Sequence, residues 1–245
     1  MDVSLNENDR LEHCPKGHPV NECGHCKVRS VSVCSAVKAA ELTELDKLAR
    51  HSKFEKRQNL FEEGEKSYFV YNITSGMVRL YKNSKDGRRQ IVGFALPGDF
   101  IGLTMPDVHE FSCDALMDTD VCEFSMKGFI ELMASQPDLL GRLNSAVSHE
   151  LTLAREHMII LGRRSAEEKI CTFLLVLRSR YARLDALRVR VPLPMNRQDI
   201  SDFLGMTLET VSRMLTKLER AKVIVIIPDG VRILDLIKLK AVSGN

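Results

Sequence analysis

The longest regular pattern in the chain lies between residues 137 and 161. Apolar side chains recur there at Leu140, Leu143, Val147, Leu151, Ala154, Met158 and Leu161, in steps of three or four. Such steps trace one narrow stripe on an α-helix. A narrow stripe on a long helix is the pattern of a coiled-coil seam, so these seven side chains are the candidate dimer interface. At 1.5 Å per residue the helix would be roughly 37 Å long. Ser135 is a candidate N-cap, Pro137 and Asp138 suit the first turn, and Gly162 suits the C-terminal stop.

Different patterns lie on either side. Residues 54–124 alternate apolar and polar in short runs punctuated by Gly64, Gly76, Gly87, Gly93, Gly98 and Gly102. A Thr-Ser-Gly turn and Asp86-Gly87 sit between such runs, which predicts hairpins and a small antiparallel roll or jelly roll. Residues 39–51 predict a short helix leading in, and 126–135 another leading out. Past Gly162 the period is helical again. Ser165 and Glu168 form a capping box for a helix to about residue 183. Residues 187–193 predict a short strand. Asn196 caps the next helix, Gly205 turns the chain, Thr207 caps a helix over 208–221, and 223–236 predict a two-stranded wing around Asp229-Gly230. Residues 1–40 have little apolar patterning beyond cysteines and need something to order them.

The predicted organisation is α+β in four parts. These are a cysteine-rich arm (1–38), a β-roll or jelly-roll domain (39–136), a dimerisation helix (137–162) and a winged helix-turn-helix domain (163–245). A chain of 245 residues can hold two real cores. The net charge of +2 hides an asymmetry. Residues after Gly162 carry 16 Lys+Arg against 9 Asp+Glu, and the rest carry 19 against 24. One end is built to meet an anion. No apolar run reaches the length of a membrane span, and the opening MDVSLNENDR is polar and acidic, so a cytoplasmic location and no membrane partner are expected. No Gly-rich nucleotide loop, Ser/His/Asp set or paired carboxylates can be placed, so no enzyme is expected.

Residues 196–221, NRQDISDFLGMTLETVSRMLTKLERA, carry the clearest motif. Ile200, Phe203 and Leu204 face inward from a first helix, and Val211, Leu215 and Leu218 from a second, with Gly205 between. This is the helix-turn-helix plan for double-stranded DNA. Glu209, Ser212 and Arg213 point outward near the start of the second helix, where base edges are read. Arg197 and Lys217 are placed to hold phosphates, and Thr207 caps the reading helix. Two such helices in successive major grooves need a two-fold axis, which the long helix upstream supplies by making a homodimer on a palindromic operator.

A β-roll, a long helix and a winged helix-turn-helix together resemble the Crp/Fnr superfamily of bacterial transcription regulators, over residues from about 40 to 240. GDFIG at 98–102 and RRSAEEKI after the long helix also resemble that family. ETVSR at 209–213 looks like the DNA signature of the Fnr and FixK branches, implying a TTGAT-type half-site. The resemblance also implies that the 83–90 hairpin touches RNA polymerase.

Two sensor chemistries are open within the resemblance. A buried cyclic nucleotide needs a cation at its phosphodiester, yet the chain has no Arg between Arg89 and Arg142. No cyclic nucleotide is therefore expected. The second chemistry uses Cys23-x2-Cys26-x7-Cys34, three thiols on the arm. A [4Fe–4S] cluster wants four, and the resemblance implies Cys122 as the fourth. Cys14 stands eight residues before Cys23 and is an alternative to Cys34. CGHC with His13, His18 and His25 nearby would also suit zinc, and a metal-free FixK-like regulator is a further alternative. Cys113 and Cys171 are left to the roll and to a helix interior. The expected function is an oxygen- or redox-responsive regulator whose cluster promotes dimerisation and DNA binding.

Overall fold

The computed structural model describes residues 22–84, 86–104, 107–163, 165–184 and 190–244. Cys14, His13, His18 and the start of the strand expected at 187–193 lie outside these residues. The arm begins with α1 (Glu22–His25) and continues through two 3-10 turns over 29–31 and 33–36. It folds because Cys23, Val33, Cys34 and Val37 bury themselves in one cluster with Leu139 and Leu143 of the long helix. A short helix, α2 (Leu42–Leu48), leads into the roll.

The helix expected over 39–51 is shorter than its sequence suggests. Residues from Ala49 on are taken by strand β1 (Ala49–Phe54), which pairs antiparallel with β8 (Thr119–Ser125). Sheet pairing overrides local helix propensity here. Between them run β2 (Asn59–Phe61), β3 (Phe69–Ser75), β4 (Val78–Asn83), β5 (Arg89–Ala95), β6 (Phe100–Ile101) and β7 (Ser112–Ala115). One sheet has the order β1-β8-β3-β6 and the other β2-β7-β4-β5. Tyr71, Ile73, Val78, Cys113 and Val121 belong to the core cluster of these strands. The β3–β4 turn requires glycine: Gly76 has φ +85°, and a Cβ there would meet Thr119 Oγ1 at 2.4 Å.

Helix α3 (Met126–Ser135) follows, then the spine helix α4 (Pro137–Arg163). The spine differs from expectation at both ends. Ser135 is not its cap, since its hydroxyl donates to the Leu132 carbonyl and closes the preceding helix. Gly162 is not its stop. It stays helical, because the buried Lys169 donates from Nζ to the carbonyls of Leu161 and Leu204, both at 3.2 Å. That ammonium satisfies two helix ends at once.

The seam also needs one correction. Leu140, Val147, Leu151, Ala154, Met158 and Leu161 are exposed, as an unpartnered stripe should be. Leu143 is buried against the chain's own core. The reason is local packing: Leu143 lies one turn beyond Leu139, at the edge of the inward face, where Val33 and Val37 of the arm join it in one cluster. Steps of four and three from Leu140 reach Asn144, so an exposed asparagine occupies the slot assigned to Leu143.

The last third holds α5 (Ala166–Ala182), β9 (Arg190–Pro192), α6 (Arg197–Leu204), α7 (Leu208–Arg220), the wing β10 (Ile224–Ile227) and β11 (Gly230–Ile233), and α8 (Leu236–Ser243). The capping box at Ser165 and Glu168 is present. Cys171 is fully buried in this core. Helix α8 was not expected. Leu239 and Ser243 are its buried residues, and it packs on α5.

The two faces of the spine separate in experiment. Leu143→Ala should lower unfolding stability by about 2–5 kcal/mol, the cost of a buried leucine, and leave the association state unchanged. Leu151→Asp should do the reverse, giving a folded monomer by light scattering. A dimer that survives Leu151→Asp would place the seam elsewhere.

Candidate nucleic-acid interface and cysteine cluster

The reading head is built from local signals. Asn196 caps α6 through the Asp199 backbone N–H, and the Asp199 carboxylate accepts from the Asn196 backbone in return. Gly205 ends α6 at φ +60°, a left-handed conformation that costs glycine little. The Thr207 hydroxyl accepts from the Thr210 backbone N–H at 3.2 Å and opens α7. Ile200, Leu204, Val211, Leu215 and Leu218 are buried beneath. The outward face carries exposed Arg197, Glu209 and Arg213 with Ser212 half-buried.

Arg197 and Ser212 are joined, the guanidinium donating to the Ser212 hydroxyl at 3.1 Å. A cation from one helix and a hydroxyl from the next thus form one polar group on the reading face. Thr207 already serves as the cap, so its hydroxyl is engaged. Lys217 is exposed but engaged as well, pairing with Glu167 of α5 at 2.5 Å. A phosphate would compete with that carboxylate.

The sequence reading missed what holds the head in place. Asp199 is nearly fully buried and accepts from Arg79 of β4 and Arg89 of β5, each at 2.5 Å. Arg79 also makes a two-point pair with Asp114, at 2.7 Å on both oxygens. Arg89 reaches Asp202 from Nε at 3.0 Å, and the Gln90 amide donates to the Asp202 carbonyl at 2.7 Å. His157 of the spine stacks on Phe203 at 4.0 Å and donates to its carbonyl at 2.8 Å. Arg180 of α5 binds the Phe94 carbonyl and the Asp99 carboxylate. No spacing rule could have joined Arg79 to Asp199 across 120 residues.

The cysteines form a second site at the other end of the spine. Cys23 lies in α1, Cys34 in the 3-10 turn that Ser32 caps, and Cys122 in the middle of β8 opposite His51 and Asn72. Cys23, Cys34 and Cys122 are buried, Cys26 is half-buried, and all are free thiols. The Cys23 backbone N–H donates to Asp46 at 3.0 Å, and Cys122 Sγ lies 3.6 Å from His51 Nδ1. Burial pushes the Cys23 thiol up, and its hydrogen bond with Asp46 and the nearby Cys122 and Cys34 push the same way. Burial also pushes Cys34 up to about 11, with the Ser32 hydrogen bond opposing and Cys26 adding to the rise. Cys23 thus feels Cys122 and Cys34, and Cys34 feels Cys26. Among the described residues no three His, Cys, Asp or Glu side chains close on a single ion. Cys113 and Cys171 are buried elsewhere, in the roll and in the head.

Within the roll, His109 is buried and stacks on Phe61 at 3.8 Å beside a cavity of about 350 Å³. Burial pushes this imidazole below the usual histidine range.

A β-roll, a two-faced spine and a winged head with an open polar reading helix define a DNA-binding transcription regulator. The chain belongs to the Crp/Fnr family of such regulators. Residues 168–242 match the Crp-like helix-turn-helix domain, and residues 51–136 match the cyclic nucleotide-binding domain. The chain is 47% identical to the transcriptional activatory protein AadR of Rhodopseudomonas palustris, covering 90% of this chain and 92% of AadR. It is 46% identical to the nitrogen fixation regulation protein FixK of Bradyrhizobium diazoefficiens, covering 94% and 96%. The solved structure of FixK2 from Bradyrhizobium japonicum superposes with a TM-score of 0.73 at 33% identity, covering 79% of this chain and 96% of that one. Both AadR and FixK are described as regulatory proteins. Among the described residues no helix is long and apolar enough to cross a membrane.

Two substitutions test the reading face. Arg213→Ala should cost roughly 1–3 kcal/mol on the preferred site and relax specificity at one base pair. Equal loss on every single-base operator variant would remove Arg213 from base reading. Glu167→Gln releases Lys217, so the salt dependence of DNA binding should steepen by about 0.9 in log–log slope, one added phosphate contact. An unchanged slope would mean Lys217 never meets the backbone.

Proposed function

We propose that the chain is a homodimeric transcription activator of the FixK and AadR kind that responds to oxygen or redox state through its cysteines. It binds a palindromic TTGAT-type operator, with Glu209, Ser212 and Arg213 at bases and Arg197 and Lys217 at phosphates. The observation behind the sensing part is that Cys23 and Cys34 of the arm and Cys122 of the roll share one buried cluster with Leu139 and Leu143 at the base of the spine, with the half-buried Cys26 close enough to Cys34 to act on its charge. Four thiols are the donor set of a [4Fe–4S] cluster, and these four residues would hold it. Bound there, the cluster supplies an oxygen-labile redox group. The chain's own part is mechanical. Cys34 sits between Val33 and Val37, and those valines pack with Leu139 and Leu143. Fixing the arm therefore fixes the wall against which the spine's first two turns rest. His51 and Asp46 stand beside two of the thiols and would orient them.

A second reading is a FixK-like regulator whose thiols carry no metal. The identities to FixK and AadR favour it over placement in the Fnr branch. Neither reading uses a cyclic nucleotide, since no arginine stands between Arg89 and Arg142 to meet its phosphate. The tip of the 83–90 hairpin is the candidate contact for RNA polymerase. Arg88 pairs there with Asp86 at the exposed turn, while Arg89 and Gln90 are turned toward the head.

Iron content separates the two readings. Anaerobically purified protein should be brown, hold about four irons per chain, and bleach in air as its DNA affinity falls. Serine at any of the four positions should remove the colour, whereas Cys113→Ser and Cys171→Ser should keep it. Colour that survives Cys34→Ser but not Cys14→Ser would exchange those two ligands. Iron-free protein with oxygen-indifferent DNA binding would leave the metal-free reading, and stoichiometric zinc would make the arm a structural site.

A further inference from the structure

The ion pairs between roll and head have no part in reading bases or in the cysteine pocket. Two guanidiniums, Arg79 and Arg89, face three carboxylates, Asp114, Asp199 and Asp202. Tyr81 lies 5.6 Å from one guanidinium and 5.9 Å from the other, flooring both. These groups are largely shielded from water, so salt screens them weakly. Helix α6 is gripped on its outer side by this network and on its inner side by His157. The grip leaves two surfaces open together: the reading face at Glu209 and Arg213, and the stripe from Leu140 to Leu161.

We infer that Arg89, acting with Arg79 and Gln90 on Asp199 and Asp202, is the strut by which the β-roll sets the angle of the reading head. The inference rests on the two-site reading above and adds to it a set of positioning residues that touch no DNA. A half-site demands only a folded head. A palindrome demands two heads at one separation and one tilt, because half-sites repeat with the helical turn. Loosening the strut therefore costs little on a half-site and much on a palindrome. It also blurs the preference for one spacing. Arg89 and Asp202 are the pair to change, because Asp199 is in addition part of a helix cap.

The test uses the full-length dimer, prepared anaerobically, and fluorescence anisotropy on three duplexes. They carry a palindrome of two TTGAT half-sites, the same palindrome with one base pair inserted at its centre, and a single half-site. Arg89→Gln should bind the palindrome about tenfold more weakly, within the 5–150-fold span usual for coupling between sites. Its half-site affinity should stay within about twofold, inside ordinary coupling noise. Its preference for the correct spacing should shrink. Arg89→Lys, which keeps a charge, should recover part of the loss. Asp202→Asn should resemble Arg89→Gln, and the double variant should be no worse than the weaker single, since the two act through each other. Lys82→Gln, on the same hairpin but paired with Glu63 of the roll, should bind as the unaltered chain does. Equal losses on half-site and palindrome would overturn the inference, because the pair would then only stabilise the head. A gain in palindrome affinity would overturn it too, making the contact a restraint on binding. A parent chain indifferent to spacing would remove the two-site reading and this inference with it. A spacing-sensitive parent with an equally spacing-sensitive Arg89→Gln would remove the inference alone.

Discussion

The spine helix must satisfy two surfaces with one circumference. Its inward face, Leu139, Leu143, Ala146, Leu153, His157 and Ile160, meets the chain's own arm, roll and head. Its outward face, from Leu140 to Met158, is exposed to solvent. Because successive residues turn by 100°, the two stripes are locked in phase. Any repacking that rotates the inner stripe rotates the outer one by the same angle. The coupling matters because the arm's 3-10 turn over 33–36, α3 and α5 all pack on this helix. Asn144 on the outer stripe adds a polar slot to an otherwise apolar seam, a feature that in coiled coils fixes register at some cost in stability.

At the far end of the helix the contacts change character. Burial of carboxylates is costly unless each is paired and hydrogen-bonded, and an imperfect pair gives back little. Asp199 meets that condition with two guanidiniums and the Asn196 backbone N–H of its own cap. Such a network is a poor source of stability but an exacting one for geometry, since a small shift leaves a charge without its partner. Lys169 imposes a similar condition on the ends of the spine and of α6, whose last carbonyls both point at one ammonium. Apolar contacts such as Phe94 with Phe203 at 5.1 Å fill the space around these groups without dictating direction.

What could be read from the chain beforehand divides by sequence distance. The helix-turn-helix and its wing are written in neighbouring residues. Asn196, Gly205 and Thr207 each act within four positions, so the pattern carried them whole. The roll announced itself through turn residues, with Gly76 and Gly87 at left-handed positions. The exposed stripe of the spine was legible in period, but not which of its residues turn inward. Leu143 and Asn144 are adjacent, and only the packed structure shows which faces inward. The helix expected through His51 failed because strand pairing with β8, some 70 residues away, decides that segment. Arg79, Arg89 and Asp202 gave no signal at all: each is an ordinary surface residue to a reader of the sequence. The arm's cysteines were legible as a cluster of candidates, while their place against Leu139 and Leu143 was not.

These contacts together close a loop within one chain. The arm is tied to the base of the spine by Val33 and Val37. The spine is tied to the head by His157 and Lys169, and the head is tied back to the roll by Arg89 and Arg79. The roll completes the circuit, since Cys122 in β8 shares the arm's own cluster. A closed loop of this kind resists bending at any single joint while all its ties hold, and losing one tie opens it. The spine spans about 40 Å at 1.5 Å per residue, so a local change in the cysteine pocket cannot reach the reading helix by side-chain contact alone. It can reach it by turning the whole circuit as one body, which carries the exposed stripe and the reading face with it. On the proposed dimeric reading, control over DNA binding is exerted most directly between two copies. There a modest loss of association free energy is multiplied, because an operator that needs two heads gains little from one.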